Sequence, residues 1–227
     1  MSEPPIAPEK AHIVLKAHYI DLARHYHASW EDIESSLALL APLEMHHLLT
    51  ASHCLRVGMS TGNIAHHLGD DAALAIIAGG IHDIGKVGVP KRLLGAETID
   101  GYDFYRYMVP HVDIGYRMSV EILPRQAECL KNHHRHQGDR SYDLILPPAA
   151  HIYTKAQKDE HWRISRLIAL ADYVDAMLTR KNDKFGDHPP TRAERRKALY
   201  HDQPDMIKEL DSLLRAHVID LREKPRH

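Results

Sequence analysis

His82 and Asp83 stand directly behind Ala72 to Ile81, ten residues without a charge. An ionised carboxylate left alone at the edge of such a run is expensive, and a bound cation removes the penalty. The imidazole brings one nitrogen donor, and the carboxylate can bridge two cations about 3.5–4 Å apart, the arrangement of two-metal hydrolytic sites. Further donors of the same kinds are His53, His111, the pair His133-His134, and Asp172, an acid behind the apolar run Leu167 to Ala171. Histidine is over-used throughout, at 20 of 227 residues, which favours a metal centre or a pH-sensitive surface because imidazole is the commonest metal ligand. The second His-Asp pair, His201-Asp202, precedes Gln203-Pro204 in a polar connection and reads as a helix junction. His12, His18, His25 and His27 fall in a polar helical pattern and read as surface residues.

Helices must position these donors. Met1 to Pro8 holds three prolines and no period, a frayed tail. Helical periodicity follows through Ile13, Leu22, Trp30, Ile33 and Leu40; Pro42 marks a break before a long pattern from Leu43 past His53 to Leu68. Gly69 suits a helix C-cap, and the following aspartates can cap the apolar helix that carries His82 at its end. Gly85, Gly88 and Pro90 then make a loop. Helices are also expected around 111–123, 124–134, 162–179, 191–200 and 204–221, with 135–161 irregular. No alternating run of β type is present, so the fold class is all-α. Arg192, Arg195, Arg196 and Lys197 read as a solvated helix face, and the final helix as a packing or dimer helix.

In order, the donors and their neighbours resemble the HD superfamily of metal-dependent phosphohydrolases, specifically its HD-GYP branch. Ile77 to Pro90, with His82-Asp83-Ile84-Gly85-Lys86, is similar to the branch's HDIGK segment. His111 with Gly115, the pair His133-His134, and Ala169 to Ala176 with Asp172 and Asp175 resemble its following motifs. The resemblance implies an HD-domain helical bundle over 43–227, with a tail and short helical extension over 1–42. It implies two or three divalent ions, iron or manganese, and hydrolysis of a cyclic dinucleotide, cyclic di-GMP foremost, by a hydroxide shared between two of them. His53, His82, Asp83 and Asp172 would hold one ion; Asp83, His111, His133 and His134 the other, with Asp83 as bridge. Asp83 and Lys86 would be catalytic, with Lys86, Tyr142, Lys181 and Lys184 on the substrate.

Two departures bear on that expectation. Leu49 stands where trinuclear members carry a glutamate, which favours two ions over three, with His46 a remote substitute. The Gly-Tyr-Pro signature falls on Ser141-Tyr142-Asp143, so only the tyrosine survives, Arg135 replaces a glutamate, and Gly138-Asp139 reverses a pair. Another cyclic dinucleotide, a linear dinucleotide or a nucleotide are therefore alternative substrates. The alternative function is a metal-bound module of little or no activity that senses a nucleotide or docks on a signalling partner. With 29 basic and 31 acidic residues the net charge is -2, which draws the chain to neither a nucleic-acid polymer nor a membrane. No run approaches the roughly 20 apolar residues of a membrane span, and Cys54 and Cys129 read as reduced thiols, so a cytoplasmic protein is expected. Met1 to Leu43 has room for a couple of helices and no sensor domain. Regulation is thus expected from a separate chain, a diguanylate cyclase among the candidates, from a homodimer, or not at all.

Overall fold

The computed structural model describes residues 7–96, 99–136, 148–179 and 190–222. Within them the elements are helical and no strand occurs, as the periodicities require. Helices α1 (Pro8–His25) and α2 (Trp30–His46) precede the long α3 (Leu48–Leu68) and the apolar α4 (Ala72–Gly80). After α4 come a tight turn at Ile84–Gly88 and two short helices, α5 (Lys91–Leu94) and α6 (Gly101–Asp103), the latter running into a wide turn at Phe104–Met108. Then follow α7 (His111–Ser119), α8 (Pro124–Leu130), the 25-residue α9 (Lys155–Thr179), α10 (Arg192–Asp202) and α11 (Ile207–Arg215).

Local chemistry sets the boundaries. Gly69 takes the left-handed conformation, φ 78°, that ends α3, and the Asp71 carboxylate accepts from the Leu74 amide at 2.9 Å to start α4. The break expected at Pro42 lies instead at His47. Pro42 sits inside α2 with Ala38 on an exposed face, so the carbonyl that loses its partner lies on the solvated side. His47 is extended, and its Nδ1 accepts from the Thr50 amide at 3.3 Å to cap α3. Residues 155–161, expected to be irregular, are helical. Thr154 and Gln157 exchange side-chain and backbone hydrogen bonds, a capping box that starts α9 before Trp162.

Two hydrophobic clusters hold the bundle. One joins α3 and α4 to α9, α10 and α11 through Val57, Ala75, Ile164, Leu167, Leu199 and Leu210; the other joins them to α1, α2, α7 and α8 through Tyr19, Ile33, Leu55, Ile77 and Leu130. Helices α3 and α4 belong to both. Their axes approach closely because Gly58 has no side chain: a Cβ there would lie 2.8 Å from the Ile76 carbonyl oxygen and the Gly80 nitrogen. Leu210 and Leu213 are buried, so α11 is a packing helix. Arg195, expected on a solvated face, is turned inward and donates to the Leu221 carbonyl at 3.0 Å. His18, His25 and His27 are exposed as expected, but His12 is buried, its ring against the Ser52 hydroxyl at 2.8 Å and the Glu44 carboxylate at 3.1 Å. Cys54 and Cys129 are buried free thiols. Among the described residues no helix is long and apolar enough to cross a membrane.

Candidate metal centre

Helix ends deliver most of the site. The last carbonyls of a helix have no partner within it, and here histidines at the ends of helical turns take them. His82 Nδ1 donates to the Gly79 carbonyl at 2.8 Å and His133 Nδ1 to the Leu130 carbonyl at 2.5 Å. His111, at the start of α7, does the same to the Met108 carbonyl of the preceding wide turn. A carbonyl can only accept, so the proton of each ring is fixed on Nδ1 and the Nε2 lone pair faces inward. His53, in the body of α3, reaches the same tautomer by another route: its Nδ1 donates to an Asp175 oxygen 2.7 Å away. Asp175 in turn receives Arg56 at 2.7 and 2.9 Å, a two-pronged pairing of guanidinium and carboxylate.

The seven expected ligands come together in two groups, each with its ligand atoms within 4.8 Å of one another: Asp83, His111, His133 and His134 in one, and His53, His82 and Asp172 in the other. Asp83 lies between them. Its Oδ1 is 3.1 Å from His111 Nε2, and its Oδ2 is 3.4 Å from His82 Nε2 and 3.7 Å from His53 Nε2. His53 Nε2 is 3.1 Å from Asp172 Oδ1. His82 and His133 are completely buried and Asp83 nearly so. His53 Nε2, His82 Nε2, His133 Nε2 and Asp83 Oδ1 are buried without a hydrogen bond. Several inward-facing acceptors with no donor are expensive in an apolar surround, and divalent cations bound by nitrogen and oxygen would satisfy them. The residues present therefore fit divalent cations, with Asp83 lying between the two groups.

The charge states suit that use. Burial alone would raise the Asp83 carboxyl, but the Lys86 ammonium and the His82 and His111 imidazoles outweigh it and hold it well below the usual carboxylate range. Asp172 is likewise raised by burial and lowered further by His53. Burial, reinforced by the neighbouring His134 and His82, pushes His133 well below the ordinary imidazole value, so it is neutral with its lone pair available. His53 is lowered by burial and raised on balance by Asp172 and Asp175.

Lys86 is neither in solvent nor remote. It is buried, with Nζ 2.5 Å from Asp83 Oδ2. Leu49, in the place of the extra glutamate, is 64% exposed, and His46 is engaged elsewhere, its Nε2 donating to the Val89 carbonyl at 2.7 Å. Neither adds a ligand. Tyr142, Lys181 and Lys184 lie outside the described residues, as does the Ser141-Tyr142-Asp143 segment. Sequence reasoning missed Arg56 and the role of Asp175, although Asp175 follows Asp172 by one helical turn, a spacing that sets both acids on one face of α9.

A family model described as HD domain matches residues 50–177, which include every one of the seven clustered ligands. The chain is similar to a cyclic di-GMP phosphodiesterase of Thermotoga maritima, 32% identical over 146 residues that make up 61% of this chain and 37% of that protein. The aligned part thus spans little more than a third of the length of this curated relative. No solved structure matches significantly.

Proposed function

We propose that this chain, which belongs to the HD domain family, is a phosphodiesterase of the HD-GYP type that holds two divalent cations, iron or manganese, and hydrolyses a cyclic dinucleotide, cyclic di-GMP foremost. The observation that carries the reading is the pair of ligand groups around Asp83, with inward nitrogens left unsatisfied. The name of the Thermotoga relative supports the choice of substrate.

His53, His82 and Asp172 would hold one cation, His111, His133 and His134 the other, and Asp83 both. When bound, such a pair supplies a Lewis acid on each side of a phosphodiester and lowers the pKa of a water that can attack it. The protein does the rest. Backbone carbonyls orient His82, His111 and His133, and Asp175 orients His53, so these four rings would present Nε2 to the ions. Burial keeps bulk water from the carboxylates and strengthens each electrostatic contact. Lys86, buried on Asp83, would turn its ammonium to a phosphate oxygen as charge shifts toward the leaving ribose oxygen. Residues 43–227 form the phosphohydrolase domain in this reading and 1–42 its extension; a diguanylate cyclase or a second copy remains a candidate partner.

Metal analysis of purified protein should find two ions per chain, and manganese- or iron-loaded protein should convert cyclic di-GMP to the linear dinucleotide. Metal-replete protein that hydrolyses no dinucleotide or nucleotide would leave the nucleotide-sensing module as the correct reading.

A further inference from the structure

Between α5 and α7 lies a run that the metal centre does not use. Tyr102 to Tyr107, six consecutive residues, hold four aromatic rings in a chain that is 6% aromatic. Tyr102 and Tyr105 are 68% and 69% exposed, so packing does not account for them. The Arg106 guanidinium lies over two of the rings, 5.5 Å from the Tyr102 centroid and 5.2 Å from that of Tyr107, and it donates to the Tyr102 hydroxyl. No described carboxylate pairs with Arg106, whose neighbour Asp103 is taken by Arg92 at 2.9 Å. Phe104 meets Tyr105 edge-on with centroids 5.7 Å apart.

Both ends of the run are tied to the site. It departs after the Lys86 turn and returns at His111, and Gly85 is packed against the His111 carbonyl. The backbone at its close is a wide turn, Val109 N to Phe104 O at 3.0 Å, of a kind that clusters at functional sites. The Met108 carbonyl of that same turn holds His111 Nδ1. A row of open rings carrying an unopposed guanidinium, fixed to the wall of a phosphate-hydrolysing centre, is matched in chemistry by one ligand. That ligand is a planar base joined to a phosphate: the base stacks on a ring and the guanidinium serves both the π-face and the negative charge.

We propose that Tyr102, Tyr105, Arg106 and Tyr107 form a base-stacking platform that seats a nucleobase of the substrate beside the metal centre. The proposal rests on the phosphodiesterase reading above. Stacking tolerates any base, so recognition here needs no hydrogen-bonding pocket.

The test compares wild type with Tyr105→Ala, Arg106→Ala and the conservative Tyr105→Phe, all manganese-loaded. Substrates are cyclic di-GMP and methyl p-nitrophenyl phosphate, a phosphodiester without a nucleobase. Binding of 2-aminopurine riboside 5′-monophosphate, whose fluorescence is quenched on stacking, is measured separately. Tyr105→Ala should raise KM for cyclic di-GMP on the order of tenfold with little change in kcat, and weaken the quench to match. Tyr105→Phe should behave as wild type, and turnover of the base-free diester should not follow KM for the dinucleotide. Unchanged KM and quench in both alanine variants overturn the platform, as does an equal loss on both substrates, which marks a structural role. A changed oligomeric state with the quench intact overturns it in favour of a contact between copies. A wild type that turns over neither substrate, yet shows a Tyr105-dependent quench, refutes the phosphodiesterase reading and leaves the platform standing.

Discussion

Replacing Asp175 by asparagine separates the two halves of the metal centre. Asp175 is no ligand; its two oxygens hold His53 Nδ1 at 2.7 Å and Arg56 at 2.7 and 2.9 Å. The amide keeps the shape but offers one acceptor oxygen for three donors and presents an N–H to either His53 or Arg56. His53 then loses both its fixed tautomer and the carboxylate that makes its Nε2 a stronger base. Removal of such a supporting contact costs 10- to 100-fold in metal affinity, which is about 1.4–2.7 kcal/mol. The loss should fall on one group only, because His111, His133 and His134 take their orientation from other contacts. Titration of metal-free protein with cobalt, followed by its visible absorption and by calorimetry, resolves two binding steps. In Asp175→Asn one step should weaken by that factor and the other stay within about threefold. Equal weakening of both steps, or of neither, would refute the argument that Asp175 acts through His53.

Asp83→Ala should abolish binding of both cations, measured as metal per chain after dialysis, whereas Lys86→Ala should retain them and lower turnover; equal metal loss in the two variants contradicts that division. Gly85→Ala drives a methyl group into the His111 carbonyl oxygen, so it should destabilise the fold by about 1–3 kcal/mol in urea and displace His111, while Gly95→Ala, which meets nothing within 4 Å, should do neither. Acid titration of the metal-free protein probes Asp83, Asp172 and Asp175, all held below their ordinary value in the fold. Groups lowered by folding stabilise fully above their unfolded value, near about 4, and that contribution is lost as pH falls through the folded values. Denaturation midpoints should begin to decline below about pH 6.5, where His133, lowered by the fold, would take a proton on unfolding, and fall further below about pH 4 as the carboxylates do, less steeply there in Asp175→Asn.

Part of the candidate site is legible because His82, Asp83 and Asp172 stand where an apolar run stops, whereas His53, His111, His133 and His134 are marked only by their order along the chain. His82-Asp83 behind ten uncharged residues and Asp172 behind Leu167 to Ala171 are costly placements that only a partner explains, and the partner is other ligands brought from elsewhere in the chain. Asp175 carries no such mark, since an acid one turn along a helix reads as its polar face until Arg56 and His53 are seen against it. His12 reads as surface for the same reason: its burial depends on Glu44 and Ser52, far away in sequence. The Pro42 break failed because proline removes one hydrogen bond, which water replaces when that face of the helix is exposed. The start of α9 at Lys155 was written in Thr154 and Gln157, a pattern outweighed by the prolines that precede it.

Imidazoles that close helix ends have a consequence for assembly. The proton that satisfies the Gly79 or Leu130 carbonyl is the same one that dictates which nitrogen remains open. Winding α4 and α8 to their last turn and orienting the His82 and His133 rings are thus a single event. Loading of divalent cations should then require no folding step. A chelator would then strip the protein of its ions and leave the bundle standing.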